Sequence, residues 1–401
     1  MIRTSNNTNT TGFNVECWEY QLYSFLFFIL SPAIGIILGI IQIIRLDEVP
    51  KYMYSTLFLM LSIWMGLINY TIDTSNLSDL AVYIKYFEDV PKIGFLGTLS
   101  LVTEPLYNVI TYLGYYICFG NPLLFFSLLS VAMYMLLLEG MHLIFRKEGL
   151  DKYAILCGVM TLCFFTQYFV LTVHLVRQVL AVSIAIYALC YRSAKGKNCW
   201  VLLVAAPLIH TSSLFLVLLS FVPILYSKLN IFKLSMMLFS VVVIVSFNVL
   251  IGSFLGDSNY AMSRFSSNVS DGGHLDMMLA IIIFIPFAII CVKQLLQMKD
   301  IRSNSLYSIL YITLILLVFI LAFSQNPLIQ YRFFFMLYAF IPLILPLASY
   351  GLRKEWHVAY SSLASIFFLV RFIAIHNTSG FRYADIWELL SLPIPYVISS
   401  L

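Results

Sequence analysis

The sequence predicts an all-α polytopic membrane protein with about ten full transmembrane helices and one broken-helix hairpin. Three observations carry this prediction. Hydrophobic residues fill 61% of the 401 positions and charged residues only 10%, with a mean hydropathy of +0.93, whereas a soluble domain is roughly 25% charged. The apolar runs are long and continuous, which excludes the alternating pattern of a β-barrel. Lys and Arg also cluster in short loops between runs, as they do on the cytoplasmic side of helical membrane proteins.

The apolar runs fall at 20–44, 53–70, 121–145, 153–173, 176–191, 200–225, 234–254, 276–297, 304–323, 332–350 and 356–375. They read as one membrane domain over residues 1–401, with no appended soluble domain. The first 19 residues are polar, and the run that follows is too long for the apolar core of a cleavable signal. It is expected to stay as a spanning helix. The formal net charge of +4 is small and scattered, which excludes nucleic-acid binding. The seven cysteines show no CxxC or Cys/His metal spacing. Cys157, Cys163, Cys190 and Cys291 read as packing residues, and Cys17 and Cys118 are the pair that could share an oxidising side.

Charge orients the runs. Arg146, Lys147 and Lys152 mark one cytoplasmic loop, and Arg192, Lys195 and Lys197 a second. Lys293, Lys299 and Arg302 mark a third, Arg353 and Lys354 a fourth, and Arg45 with Lys51 a weaker fifth. Segment 71–120 begins with Asp73, Asp79, Glu88 and Asp89 against Lys85 and Lys92, and reads as external. It holds a candidate re-entrant helix at 105–119. Segment 255–275, rich in Ser, Asn, Asp and Gly, reads as an external loop. Simple alternation then fails at 200–226. Only a segment that enters and leaves on one side keeps the later basic loops cytoplasmic. This segment contains Pro207 and Pro223 around His210-Thr211-Ser212-Ser213, so a helical hairpin with His210 at its external tip is expected. Both termini are then external.

Under this topology His174, Arg177, His210, Arg264, Arg332 and Glu104 all fall on the external side. Arginines around a cavity suit a diphosphate, whose oxygens match planar guanidinium forks and whose departing charge they stabilise. Glu104 and His210 are candidate general bases for a hydroxyl nucleophile. His174 would orient Arg177 or a phosphate oxygen. Tyr83 and Tyr107, with Asp79 nearby, could present a surface to sugars. Simpler readings stay open for each. Arg177 could be the ion-pair partner of a buried acid, His210 a helix cap, and Glu104 a helix-start acid. Arg332 could snorkel, Arg264 could simply be solvated, and the tyrosines could form an interfacial belt. No phosphate-binding Gly-rich loop, GxSxG elbow, HExxH helix or metal-binding acidic pair is present, so no metal or cofactor is expected.

Five segments in order carry a family resemblance: SDLAVYIKYFE with Asp79, Tyr83 and Tyr86; TEPLYN with Glu104 and Tyr107; VRQVLAVSI with Arg177 and Ala181; PLIHTSS with His210; and YRFFFMLYAF with Arg332. Over residues 20–350 the chain resembles the EpsG-like branch of bacterial polysaccharide polymerases of the Wzy class. It departs from other Wzy branches at Arg264, which is followed by Gly272-Gly273 at a shorter spacing than their repeated Arg-to-Gly motifs. The resemblance implies a metal-independent glycosyltransferase of GT-C-like architecture in the bacterial inner membrane, with its active site facing the periplasm. It implies that a growing glycan on undecaprenyl pyrophosphate passes to the non-reducing end of a repeat unit on a second undecaprenyl pyrophosphate. It also implies a separate chain-length regulator as a partner. An O-antigen ligase and a lipid-linked oligosaccharide flippase are the alternatives.

Overall fold

A computed structural model describes residues 10–73, 79–222, 228–254, 273–297, 305–323, 327–350, 352–375 and 383–400. All regular structure in these residues is helical. Among the described residues, four helices are long and apolar enough to cross a membrane: Lys51–Tyr70, Pro122–Lys147, Ile329–Ser349 and Lys354–Ile375. A fifth is gained if Lys152–Phe164 and Thr166–His174, bent by 50°, count as one span. This is fewer than the eleven apolar runs of the sequence, because several of the others form shorter helices, among them Leu306–Ala322.

The first apolar run corrects the sequence reading. It is two helices, α1 (Thr10–Leu30) and α2 (Pro32–Arg45), broken at extended Ser31 before Pro32, a residue suited to open a helix. Gln42 Nε2 donates to Tyr20 O at 2.9 Å, so the two helices run back beside each other. Gln21 Nε2 donates to Tyr52 O and Met53 O at 3.2 Å. The chain therefore enters and leaves this hairpin at the end that carries Arg45 and Lys51, and the expectation of one spanning helix with an external start does not hold. A sequence run reports apolarity, and it cannot distinguish one long helix from two short ones folded together. Cys118 is a buried free thiol, and the side chain of Cys17 lies outside what the structure describes.

The centre of the bundle is built from α3 (Lys51–Tyr70), α6 (Pro122–Lys147), α7 (Lys152–Phe164), α8 (Thr166–His174) and α9 (Val176–Lys195). Helix α6 packs along both α3 and α9. It starts at Asn121, whose side chain accepts from Leu124 N, with Pro122 in the first turn. Helix α9 stops at Gly196, whose φ of +68° is left-handed. Close approach of α3 and α6 depends on Gly66, where a Cβ would lie 2.9 Å from Ser127 O. Asn69 Nδ2 bridges three helices, donating to Ser130 Oγ at 2.9 Å and Thr172 Oγ1 at 3.0 Å. Phe372 meets Phe164 and Phe169 edge to face nearby, and Trp64 packs tilted against Phe164 and Phe372.

Around this centre lie α10 (Trp200–Ile209), α11 (Ser213–Ser220), α12 (Ile231–Phe254), α13 (Gly273–Gln297), α14 (Leu306–Ala322), α15 (Pro327–Ile344) and α16 (Lys354–Ile375). A 3-10 turn (Leu345–Ser349) follows α15, and short helices α17 (Ile386–Ser391) and α18 (Ile394–Ser400) close the chain. Both α10 and α11 pack on α9. Trp200 at the start of α10 stacks on Phe221 just past α11, with ring centroids 5.6 Å apart. Arg192 near the end of α9 donates to Ser220 O at 2.7 Å. The two helices thus begin and finish at one end of α9, and the turn between them stands at the other.

Among the described residues, Arg45, Lys51, Lys152 and Arg353 lie at one end of the bundle. The five-residue link 148–152 is its hub. Glu148 accepts from Ser305 N and Ser305 Oγ ahead of α14. Asp151 caps α7 through Ala154 N and meets His357 Nε2 at 3.0 Å, while His357 Nδ1 meets Ser349 Oγ at 2.8 Å. Lys152 Nζ donates to Ile44 O and Leu46 O, satisfying carbonyls at the end of α2. One short link thereby ties α2, α7, α14 and α16 together.

Candidate functional site

The opposite end of the bundle holds the polar cluster. It begins with the start of α9. Leu175, with φ −116° and ψ 44°, breaks the helix between α8 and α9. This break puts Arg177 in the first turn of a new helix, where its side chain is 21% exposed.

Two helices from segment 71–120 then close over Arg177: α4 (Asp79–Thr98) and α5 (Pro105–Ile117). Asn108 Nδ2 donates to Leu99 O and Val102 O at 2.8 Å and so shapes the link that delivers Glu104. Glu104 stands at the N-cap of α5, yet its side chain makes no cap hydrogen bond. Its Oε2 instead accepts from Arg177 Nη1 at 2.7 Å and from Thr103 Oγ1 at 3.0 Å. The carboxylate side chain is only 7% exposed. Removing one partner of so buried an ion pair costs about 3–5 kcal/mol, because the other charge is stranded.

Tyr83 and Tyr107 complete the cradle. Arg177 Nε donates to Tyr83 OH at 3.3 Å. The guanidinium carbon lies 5.2 Å from the Tyr83 ring centre and 5.8 Å from that of Tyr107, within cation–π range. Both rings are buried. They face the guanidinium rather than forming an open platform. Asp79 at the start of α4 is exposed and lies within electrostatic reach of His174, at the end of α8.

His210 comes to the same place from the α10–α11 turn. It lies within electrostatic reach of Glu104, Arg177 and Arg332. Its Nδ1 is 2.7 Å from Ser212 Oγ and accepts from Ser212 N at 3.2 Å. A backbone N–H can only donate, so Nδ1 is an acceptor and the neutral ring carries its proton on Nε2. His210 therefore caps its own turn through Nδ1. Arg332, in the first turns of α15, is exposed, and its carbonyl accepts from Gln178 Nε2 at 3.5 Å. Arg264 lies outside the described residues. Among the described residues, no group of three His, Cys, Asp or Glu side chains could hold a metal ion.

The structure thus brings Glu104, Arg177, His210, Tyr83 and Tyr107 together and sets Arg332 beside them. Sequence reasoning offered a buried acid as the ion-pair partner of Arg177 without naming Glu104, and it missed Thr103 and Asn108 altogether. The signal for Asn108 is a lone amide on the inner face of a helix whose outer face carries Leu113, Tyr116 and Ile117. That polarity, with the apolar side outward, suits a helix bathed in lipid.

Comparison with known proteins gives one match. The model of the EpsG family covers residues 51–388, which is most of the chain. No curated protein and no solved structure matches.

Proposed function

The chain belongs to the EpsG family, and from that premise we propose that it polymerises lipid-linked oligosaccharide repeat units as a metal-independent glycosyltransferase of Wzy type. The donor is a growing glycan on undecaprenyl pyrophosphate, and the acceptor is a repeat unit on a second such lipid. The hydroxyl oxygen at the acceptor's non-reducing end bonds to the donor's anomeric carbon. The bond from that carbon to the diphosphate oxygen breaks, and its electron pair leaves with the diphosphate. The hydroxyl proton passes to a base.

The observation that carries this reading is the Glu104–Arg177 pair, with His210 and Arg332 in reach, at the end opposite the basic loops. A base and guanidinium groups side by side are what displacement of a diphosphate by a hydroxyl requires. Arg177 and Arg332 bind the diphosphate, and Arg264 and His174 are proposed to assist. Glu104 is the base. His210, with its proton on Nε2, serves better as a hydrogen-bond donor than as a second base. Tyr83 and Tyr107 hold Arg177 in place, and the exposed Asp79 is left for sugar contact.

The basic loops orient the site to the periplasmic face of the inner membrane. In this orientation α12, α13 and α14 cross with the longer helices in a GT-C-like arrangement, and the α1–α2 and α10–α11 hairpins enter from the cytoplasmic side. A chain-length regulator is the proposed partner.

Deletion of the gene, with surface glycan resolved on a gel, tests the reading. Loss of the ladder with a single repeat unit retained supports a polymerase. Loss of every repeat overturns it in favour of a ligase or a flippase, which the side on which lipid-linked glycan accumulates then separates.

A further inference from the structure

Arg177 commits two of its donors to its own protein, and Nε holds Tyr83 OH. Nη1 holds Glu104 Oε2, and the carboxylate is almost fully enclosed. The groups that face this pair come from every element packed around it. They are Tyr83 from α4, Thr103 and Tyr107 from the α5 region, His210 from the α10–α11 turn, and Arg332 reaching His210 from α15. With Nδ1 accepting from Ser212 N, His210 carries its proton on Nε2 and offers Glu104 no ring nitrogen at Nε2 to take its proton. Arg177 is the only cation in salt-bridge contact with Glu104 among the described residues.

A second anion at Arg177 must share the guanidinium with a carboxylate that repels it. Multiple phosphate oxygens compete well for a planar fork. If the guanidinium turns to the phosphate, Glu104 is left enclosed and unpaired, and an enclosed, unpaired carboxylate binds a proton more readily.

We propose that the two partners of this ion pair form an exchange switch, in which a diphosphate seated at Arg177 releases Glu104 and thereby makes it a base. This rests on the assignment of Arg177 as the diphosphate site. In the empty site Glu104 is held as the counter-ion of Arg177 and takes no proton from a hydroxyl. Once the donor is seated, the released carboxylate accepts the proton of the attacking hydroxyl. Base activation is then tied to donor occupancy, so an acceptor or a water molecule that enters first meets no active base.

The switch makes anion binding a proton-linked event, which can be measured without turnover. The full chain in detergent is titrated with inorganic pyrophosphate by calorimetry, in two buffers of different ionisation enthalpy. The expected result is uptake of a fraction of a proton more by the unmodified chain than by Glu104→Gln, because a released carboxylate of raised proton affinity stays partly ionised and so still able to act as a base. Sulfate, which does not itself titrate between about pH 6 and 8, gives a second reading on the unmodified chain alone. Its affinity is expected to fall as pH rises, by at most about tenfold per unit for one linked proton. The sign follows from proton uptake on binding, which a lower pH assists.

Binding that needs Arg177 but shows neither an excess proton nor a pH slope overturns the switch and leaves the anion site standing. Binding that is unchanged in Arg177→Ala overturns the anion-site assignment itself. Should Glu104→Gln fail to fold, the sulfate series is repeated in His210→Gln: a pH slope that persists there supports the switch, and one that disappears overturns it.

Discussion

Arg177 Nη1 lies 2.7 Å from Glu104 Oε2, although the two residues are separated by 73 positions in the chain. The pair joins the first turn of α9 to the link ahead of α5. It fixes a charged group from the central bundle against one from the segment that covers it. Chemistry and local fold therefore depend on the same contact, and substitutions here must be read with both in view.

Arg177→Ala is expected to lower polymer formation about a hundredfold or more, on the scale of losing one donor that stabilises developing charge. Arg177→Lys keeps a charge but loses the fork that serves Glu104 and Tyr83 together, so it should rescue little. Polymer amount and length on a gel, with protein level in the membrane as control, measure both. Normal polymer from Arg177→Ala would remove the site from consideration.

Tyr83→Phe keeps the ring beside the guanidinium and removes only the hydroxyl that accepts from Arg177 Nε. A loss of about 0.5–1.5 kcal/mol is expected, a few-fold to tenfold in rate. Tyr83→Ala also removes the ring contact and leaves a void, so it should cost clearly more in both rate and thermal stability. Equal effects from the two would mean that the ring does not position Arg177.

His210 separates two roles by its replacements. Glutamine can place an N–H near the position of Nε2, whereas asparagine reaches only as far as Nδ1. If His210 donates through Nε2, His210→Gln should retain several-fold more activity than His210→Asn. Equal and complete loss in both would favour a base role. Initial rates of repeat-unit transfer in membranes would settle which holds.

Asn69 donates to Ser130 and Thr172 on two other helices. Asn69→Ala is expected to destabilise the bundle by about 1 kcal/mol, the scale of side-chain hydrogen bonds between helices in lipid. Thermal unfolding in detergent should show the fall, and a ligand-binding assay should show little change.

The α1–α2 hairpin places Tyr20 and Gln21 of α1 beside the helix ends that carry Arg45 and Lys51. A reporter fused ahead of Thr10 is therefore expected to score as cytoplasmic. An external score would restore the single spanning helix that the sequence alone suggests.

Apolarity and charge determined the class of this protein from sequence. Continuous runs require backbone groups to be satisfied within each segment, which only helices achieve in lipid, so the all-helical membrane fold was legible at once. The family was also legible, through short segments in a fixed order that include Glu104, Arg177 and His210. The tertiary structure decided what apolarity cannot encode. Whether residues 20–44 cross or turn back depends on how Ser31 and Gln42 find their partners across the chain. Whether Glu104 caps α5 or reaches for Arg177 depends on how closely α4 and α5 fold over α9. Both Glu104 and Arg177 could be named as functional candidates from their types and their place at the ends of apolar runs. That each is the other's partner is a fact of three dimensions, because an enclosed charge takes whatever counter-charge the fold brings within reach.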